Sequence, residues 1–392
     1  MAFDLEAIQA ELKQQGLDGW LLYDILHRDP IAYRVLGLAP ALVKRRWYYF
    51  IPAAGSPRKL VHRIEAGQLD SLPGEKDAYA AWGEQREKLG GLLGTARTIA
   101  MQYSPMNNIP YVSLVDAGTV ELVRSLGREV VTSADLVQRF EARWSPAQQE
   151  THRAAGRLID EITRGAFERV AAHVRDQKTL TEHSLQQWIL QQFAARHLTT
   201  DDGPIVAINE HSGNPHYEPS AENLRPITSG DWLLLDIWGK LNQPGAVYYD
   251  ITWVGYVGAE APARYNEVFG VVRAARDAAV ELVAGAVARG ETLRGYQVDD
   301  VARGVIRQHG YGDYFVHRTG HSIGEDVHST GANMDNLETR DEREIIPDTC
   351  FSIEPGIYLP EFGVRLEVDV LVGEKNAGPT GAVQREIVCI LG

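Results

Sequence analysis

Hydrophobic positions along the chain follow two periods. Leu5, Ile8 and Leu12 recur at helical spacing behind Asp4, a residue suited to capping, and Gly16 ends the run, so the first segment is predicted to be a helix. The apolar runs Trp20–Tyr23, Trp47–Ile51, Leu60–His62 and Thr98–Met101 read as strands, and Thr119–Leu126 reads as a helix. Strands alternating with helices predict an α/β domain over residues 1–140.

A boundary follows at Ser145-Pro146-Ala147-Gln148. It combines an N-cap serine, proline at the first helical position and glutamine at the third, which predicts a long helix. A second helix is predicted to start at Thr179-x-x-Glu182, a third to cover Arg264–Arg289 and stop at Gly290, and a fourth to end at Gly310. Trp232–Trp238, Val247–Val257, Cys350–Ile353 and Val364–Val372 read as strands. The expected fold class is mixed α/β (α+β), with a second domain over residues 145–392.

Composition narrows the function. Fifty-three acidic residues against 39 Lys+Arg leave a net charge of −14, which argues against a nucleic-acid partner or an anionic membrane surface. No apolar run reaches the length of a membrane-spanning helix, and the first residues lack the basic and apolar regions of a signal peptide. Two cysteines, Cys350 and Cys389, make no disulfide framework and fit a reducing, cytoplasmic compartment.

The chemistry is concentrated between His216 and Glu367. Asp236 follows Trp232-Leu233-Leu234-Leu235, a run that reads as a buried strand, where an ionised carboxylate costs several kcal/mol unless paired or bound to a metal. Asp250 and Glu354 sit in similarly apolar company. In Val364–Val370, strand alternation sends Val364, Leu366, Val368 and Val370 to one face and Arg365, Glu367 and Asp369 to the other. So dense a charged face is either a solvated edge or an ion site. Oxygen-rich ligands with one imidazole suit Mn²⁺, with Co²⁺ or Zn²⁺ as alternatives, and two divalent ions would offset four carboxylates and supply a hydroxide nucleophile.

The string His317-x3-His321-x2-Gly324-x3-His328, followed by Ile353-Glu354-Pro355-Gly356-Ile357-Tyr358 and Val364-Arg365-Leu366-Glu367, resembles the pita-bread metallopeptidases, the family of prolidase, aminopeptidase P, methionine aminopeptidase and creatinase. The likeness covers residues 145–392. Residues 1–140 are similar to a creatinase-type N-terminal domain, through Gly16-Leu-Asp-Gly-Trp-Leu-Leu-Tyr23. The resemblance implies two metal ions. Asp236 would bind one, Asp250 and Glu367 would bridge both, and His321 and Glu354 would complete the second. It further implies Glu354 as general base, His328 and His216 as substrate contacts, and His317 as a supporting residue of the pocket. Arg365 would orient the bridging glutamate, and a homodimer is expected.

The chain departs from the family's pattern in places. Asp236 and Asp250 are 14 residues apart, a wider gap than usual, with Pro244-Gly245 between them in a longer hairpin loop. Trp238, Trp253 and Arg318 stand where the family commonly has other residues. A methionine aminopeptidase would lack the first domain, and creatinase would lack the five ligands. A non-catalytic binding protein on the same fold predicts at least one lost ligand, and none is lost. The expected activity is cleavage before proline in Xaa-Pro dipeptides, with aminopeptidase P action on longer peptides as the alternative. A dipeptidase needs a cation for the substrate's free carboxylate, and Arg340 is the candidate.

Overall fold

A computed structural model describes residues 3–39, 41–222 and 224–392. Met1 and Ala2, part of the N-terminal segment read above for a signal sequence, lie outside them. The chain divides into two compact units, Met1–Ala142 and Arg143–Gly392.

The first unit contains helices α1 (Leu5–Gln14), α2 (Pro30–Leu36), α3 (Trp82–Leu93), α4 (Ala117–Ser125) and α5 (Ala134–Val137). Its strands are β1 (Gly19–Asp24), β2 (Trp47–Pro52), β3 (Arg58–His62), β4 (Glu75–Tyr79), β5 (Thr98–Met101) and β6 (Glu129–Thr132). They form one mixed sheet in the order β4-β3-β2-β1-β5-β6. Both faces are covered, which explains why β1 and β2 read as continuous apolar runs. Trp20, Leu22, Tyr49 and Ile51 pack against α1 and α2, while Leu21, Tyr48 and Phe50 pack against α3 and α4. Asp4 caps α1 by accepting from the Ala7 amide at 3.0 Å.

The second unit contains α6 (Pro146–Arg175), α7 (Glu182–Ala195), α8 (Ala263–Arg289) and α9 (Gly295–Gln308). The expected capping box at Ser145 and Gln148 forms. The second helix starts later than expected. Thr181 rather than Thr179 is its cap, because the side chains of Thr181 and Ser184 satisfy each other's amides. The strands are β7 (Leu198–Thr199), β8 (Ile205–Ile208), β9 (Trp232–Leu241), β10 (Tyr249–Tyr256), β11 (Ser322–Ile323), β12 (Cys350–Ile353), β13 (Gly356–Tyr358), β14 (Gly363–Arg365), β15 (Val368–Val372), β16 (Ala377–Pro379) and β17 (Val388–Cys389). One sheet runs β17-β10-β9-β7 with β8 also on β9, a second runs β11-β12-β15-β16, and β13 pairs with β14.

The expected single strand over Val364–Val372 is broken at Leu366 and Glu367, between β14 and β15. The two halves join different sheets, so the chain must turn where Glu367 sits. Among the described residues, no helix is long and apolar enough to cross a membrane.

Candidate metal centre

Strand alternation supplies the first two carboxylates. In β9, Leu233, Leu235 and Ile237 face the core built with α6 and α7, as do Tyr249 and Ile251 of β10. Asp236, Asp250 and Thr252 therefore share the opposite face. Register places Asp236 across from Thr252 and Asp250 across from Trp238. The long loop between the strands, turned at Gly245 with φ 74°, leaves that register intact.

The other side comes from the chain around β11 and β12. The His321 amide donates to Ser352 Oγ at 2.9 Å, and Ser352 Oγ donates to Glu354 Oε1 at 3.1 Å. His321 Nε2 then lies 3.4 Å from Glu354 Oε1 and 3.6 Å from Asp250 Oδ2. Glu367 enters from the break between β14 and β15. Its amide donates to the Thr252 carbonyl at 3.2 Å. Asp250, His321 and Glu367, all buried, each place one ligand atom within 4.8 Å of the others.

The charges fit a cation. Burial first, then the neighbouring acids Asp236, Asp369 and Glu354, push the Asp250 carboxyl well above the usual carboxylate range. Burial, Asp250 and Glu354 do the same to Glu367. Glu354 is pushed up to about 7, chiefly by burial, against the opposing charge of Arg365. His321 is driven far below the ordinary imidazole range by burial, with His328 and Arg318 adding to it, so it is neutral and able to bind a metal. Asp250 Oδ1 is buried with no hydrogen-bond partner. The Thr252 hydroxyl carries one proton yet lies 3.0 Å from Asp236 Oδ1 and 2.8 Å from Glu367 Oε2. A buried acidic cluster short of donors is what a divalent ion would complete.

Arg365 belongs to the cluster, with a different partner from the one expected. Its guanidinium pairs with Asp236 rather than Glu367, and it also donates to Thr252 Oγ1 and Tyr358 Oη, each at 3.0 Å. Tyr358 continues to His317. The His317 Nδ1 lies 2.7 Å from the Arg318 carbonyl, so that nitrogen carries the proton and Nε2, 2.6 Å from Tyr358 Oη, accepts. The chain His317–Tyr358–Arg365–Asp236 is thus directed throughout. The edge of one of the His321 and His328 rings meets the face of the other, with centroids 4.2 Å apart. His328 and His216 lie at the accessible side of the cluster, and desolvation of the His328 ring, then the charge of Arg318, lowers its pKa to about 4.

Arg340 is not brought to the cluster. Its exposed guanidinium pairs with Glu342 at 3.0 Å and lies over the Tyr296 ring at 4.3 Å, so a salt bridge and a cation–π contact hold it on the loop surface.

Three members were not singled out in the sequence. Thr252 stands within the Asp250-Ile-Thr string. Ser352 lies two residues before Glu354. Asp369, fully buried, accepts from the Asp250 amide at 2.8 Å. The strand pattern had placed Asp369 on the charged face without giving it a role.

The model of metallopeptidase family M24 matches residues 150–374. The chain belongs to that family. It is a metallopeptidase, with the pita-bread fold of the prolidase and aminopeptidase P branch. It is similar to the protein named "Probable dipeptidase PepE" of Mycobacterium tuberculosis, 28% identical over 350 residues, 87% of this chain and 84% of that one. It is also similar to a "Putative Xaa-Pro aminopeptidase" of Mycoplasma pneumoniae, 34% identical over 225 residues, 56% of this chain and 58% of that protein. Among solved structures, dipeptidase PepE from Mycobacterium ulcerans superposes with a TM-score of 0.74 at 26% identity, covering 98% of this chain and 96% of that one. Metallopeptidase family M24 implies divalent metal ions, and among the described residues the carboxylates around His321 fit them.

Proposed function

We propose that the chain is a prolidase-like dipeptidase, hydrolysing the bond before proline in Xaa-Pro dipeptides. Asp236, Asp250, His321, Glu354 and Glu367 would hold two divalent ions. Mn²⁺ suits the oxygen-rich set best, with Co²⁺ or Zn²⁺ as alternatives. The observation that carries this reading is the buried convergence of Asp250, His321 and Glu367, with one Asp250 oxygen unpaired.

When bound, such a metal pair polarises a carbonyl and makes water acidic enough to attack at neutral pH. The residues supply the rest. Glu354 takes a proton from the attacking water and delivers it to the leaving proline nitrogen. His328 and His216 at the accessible side hydrogen-bond the substrate as charge develops on its carbonyl oxygen. Arg365, held by Tyr358 and His317, keeps Asp236 in place.

The name of the mycobacterial relative, matched over most of its length, supports the dipeptidase reading. The position of Arg340 favours a second one. With that cation on the loop surface, the substrate carboxylate lacks its expected partner, and aminopeptidase P action on longer peptides fits equally. Proline release from Xaa-Pro dipeptides beside matched Xaa-Pro-Xaa tripeptides separates them, with Mn²⁺ restored after chelation. Metal-dependent cleavage of dipeptides alone is expected, cleavage of tripeptides as well would favour aminopeptidase P, and silence on both would refute the proline reading. The proposal includes a creatinase-type N-terminal domain, a homodimer, a cytoplasmic setting, and no nucleic-acid or membrane partner.

A further inference from the structure

Outside the cluster lies a second group of buried charges. Asp299 and Arg303 stand one turn apart on α9, both buried. Their pairing is bidentate, with Arg303 Nε 3.0 Å from Asp299 Oδ2 and Nη2 2.9 Å from Oδ1. Neither residue touches a proposed metal ligand. A buried ion pair is commonly no better for stability than apolar residues of similar size, so stability alone does not explain it.

Most of its remaining hydrogen bonds go to residues 315–319, the segment that leads into His321. Asp299 Oδ1 accepts from both the amide and the hydroxyl of Thr319, at 3.0 and 2.7 Å. Arg303 donates to the carbonyls of Phe315 at 2.9 Å and His317 at 2.8 Å. Asp299 Oδ2 also accepts from the Asn336 amide at 3.1 Å.

Two routes lead on from there. The Thr319 carbonyl accepts from the Glu354 amide at 2.7 Å, and the next residue, Gly320, packs so closely on Ser352 that a Cβ would sit 1.8 Å from the Ser352 carbonyl oxygen. That route fixes His321, Ser352 and Glu354 together. The other passes through His317 to Tyr358, Arg365 and Asp236. Ligands from two different sheets are thereby referred to one point on α9.

We propose that the Asp299–Arg303 pair is a positioning device for the metal centre, setting the Glu354–His321 side through Thr319 and the Asp236 side through His317. The proposal rests on the metal-centre reading above. Asp299 and Arg303 are positioning residues, acting through Thr319 and His317 rather than by touching a proposed ligand.

Two mild variants test it. Thr319→Val removes one hydrogen bond to Asp299 at nearly constant volume, and Arg303→Lys keeps the charge but loses the fork. Each is titrated with Co²⁺ after chelation, and the visible spectrum of the Co²⁺ form is recorded beside the circular-dichroism melt and the kinetics on an Xaa-Pro dipeptide. Both variants are expected to weaken Co²⁺ binding by about 10-fold to 100-fold and to shift the visible bands. They are also expected to lower kcat while KM changes by less than about twofold. Thr319→Ser restores wild-type behaviour. A variant with a lowered melting temperature but wild-type Co²⁺ affinity, spectrum and kcat would show a purely structural role and overturn the proposal. A wild-type protein that takes up no Co²⁺ would overturn the metal centre itself, and this proposal with it.

Discussion

Each unit buries an aspartate at a strand, and the two are treated differently. Asp24, at the end of β1, has both oxygens saturated. Oδ1 accepts from the amides of Arg28 and Asp29, and Oδ2 from the His27 amide and the Tyr33 hydroxyl. Asp250, in β10, leaves Oδ1 without a partner and faces other acids. The first carboxylate organises its own loop. The second is costly to the fold in the absence of a cation, and a site that tolerates such a cost is where function is to be sought. The contrast extends to the two units. The sheet of the first is packed on both faces by apolar side chains, whereas the second unit reserves part of one sheet face for charge.

The sharpest way to break this contrast is to neutralise both aspartates in turn. Asp250→Asn should abolish turnover while raising the melting temperature of the metal-free protein at pH 8, because it removes a repelled buried charge. Asp24→Asn should destabilise by about 1–3 kcal/mol, since an amide cannot accept four hydrogen bonds as well as a carboxylate, and should leave metal binding unchanged. Equal destabilisation by both, measured in denaturant, would mean that Asp250 is an ordinary structural residue.

Thr252→Val sharpens the comparison within the cluster. The hydroxyl sits between Asp236 and Glu367 and accepts from Arg365. Its loss should weaken Mn²⁺ binding by about 10-fold to 100-fold in a calorimetric titration. An unchanged affinity would place Thr252 outside the centre.

The pH dependence of stability has a definite sign. Acids whose folded-state pKa is raised keep their protons longer folded than unfolded, so their contribution is lost as pH rises from the unfolded value through the folded one, about 7 for Glu354, with Asp250 and Glu367 raised in the same direction by burial and neighbouring acids. His152, His317 and His321, depressed by burial, oppose this only below the ordinary imidazole value of about 6.5. Through Glu354 the metal-free protein should therefore lose stability as pH rises from about 6.5 through about 7, by up to about 1.4 kcal/mol per pH unit for each proton the folded state retains. Added Mn²⁺ should stabilise more as pH rises, since it competes with those protons. A flat profile for the metal-free protein would remove the electrostatic argument.

The smallest effect is expected at Arg340. Held by Glu342 and Tyr296, Arg340→Ala should change KM for Xaa-Pro dipeptides by less than about twofold. A rise in KM for dipeptides that spares tripeptides would return Arg340 to the role of carboxylate clamp.

Much of this was legible in the chain itself. Apolar runs located β1, β2, β9 and β10, a capping signal at Ser145 located the long α6, and Asp236 stood out because an acid directly after three leucines is costly unless it is paired or binds a metal. What was hidden depends on partners distant in sequence. Arg365 and Glu367 are adjacent in pattern, but the chain breaks between β14 and β15 and sends Arg365 to Asp236, 129 residues away. Asp299 and Arg303 look like an ordinary helical charge pair until the fold buries them against Thr319. Arg340 had the charge a clamp needs, but loop geometry gave it Tyr296 instead.

The buried acids around His321 are proposed to hold two metal ions. Titration of Mn²⁺ into the chelated protein, beside Asp250→Asn, tests this most directly. Two ions bound per wild-type chain are expected, with loss of at least one in the variant. Equal uptake by both proteins, or none by the wild type at pH 8, would contradict it.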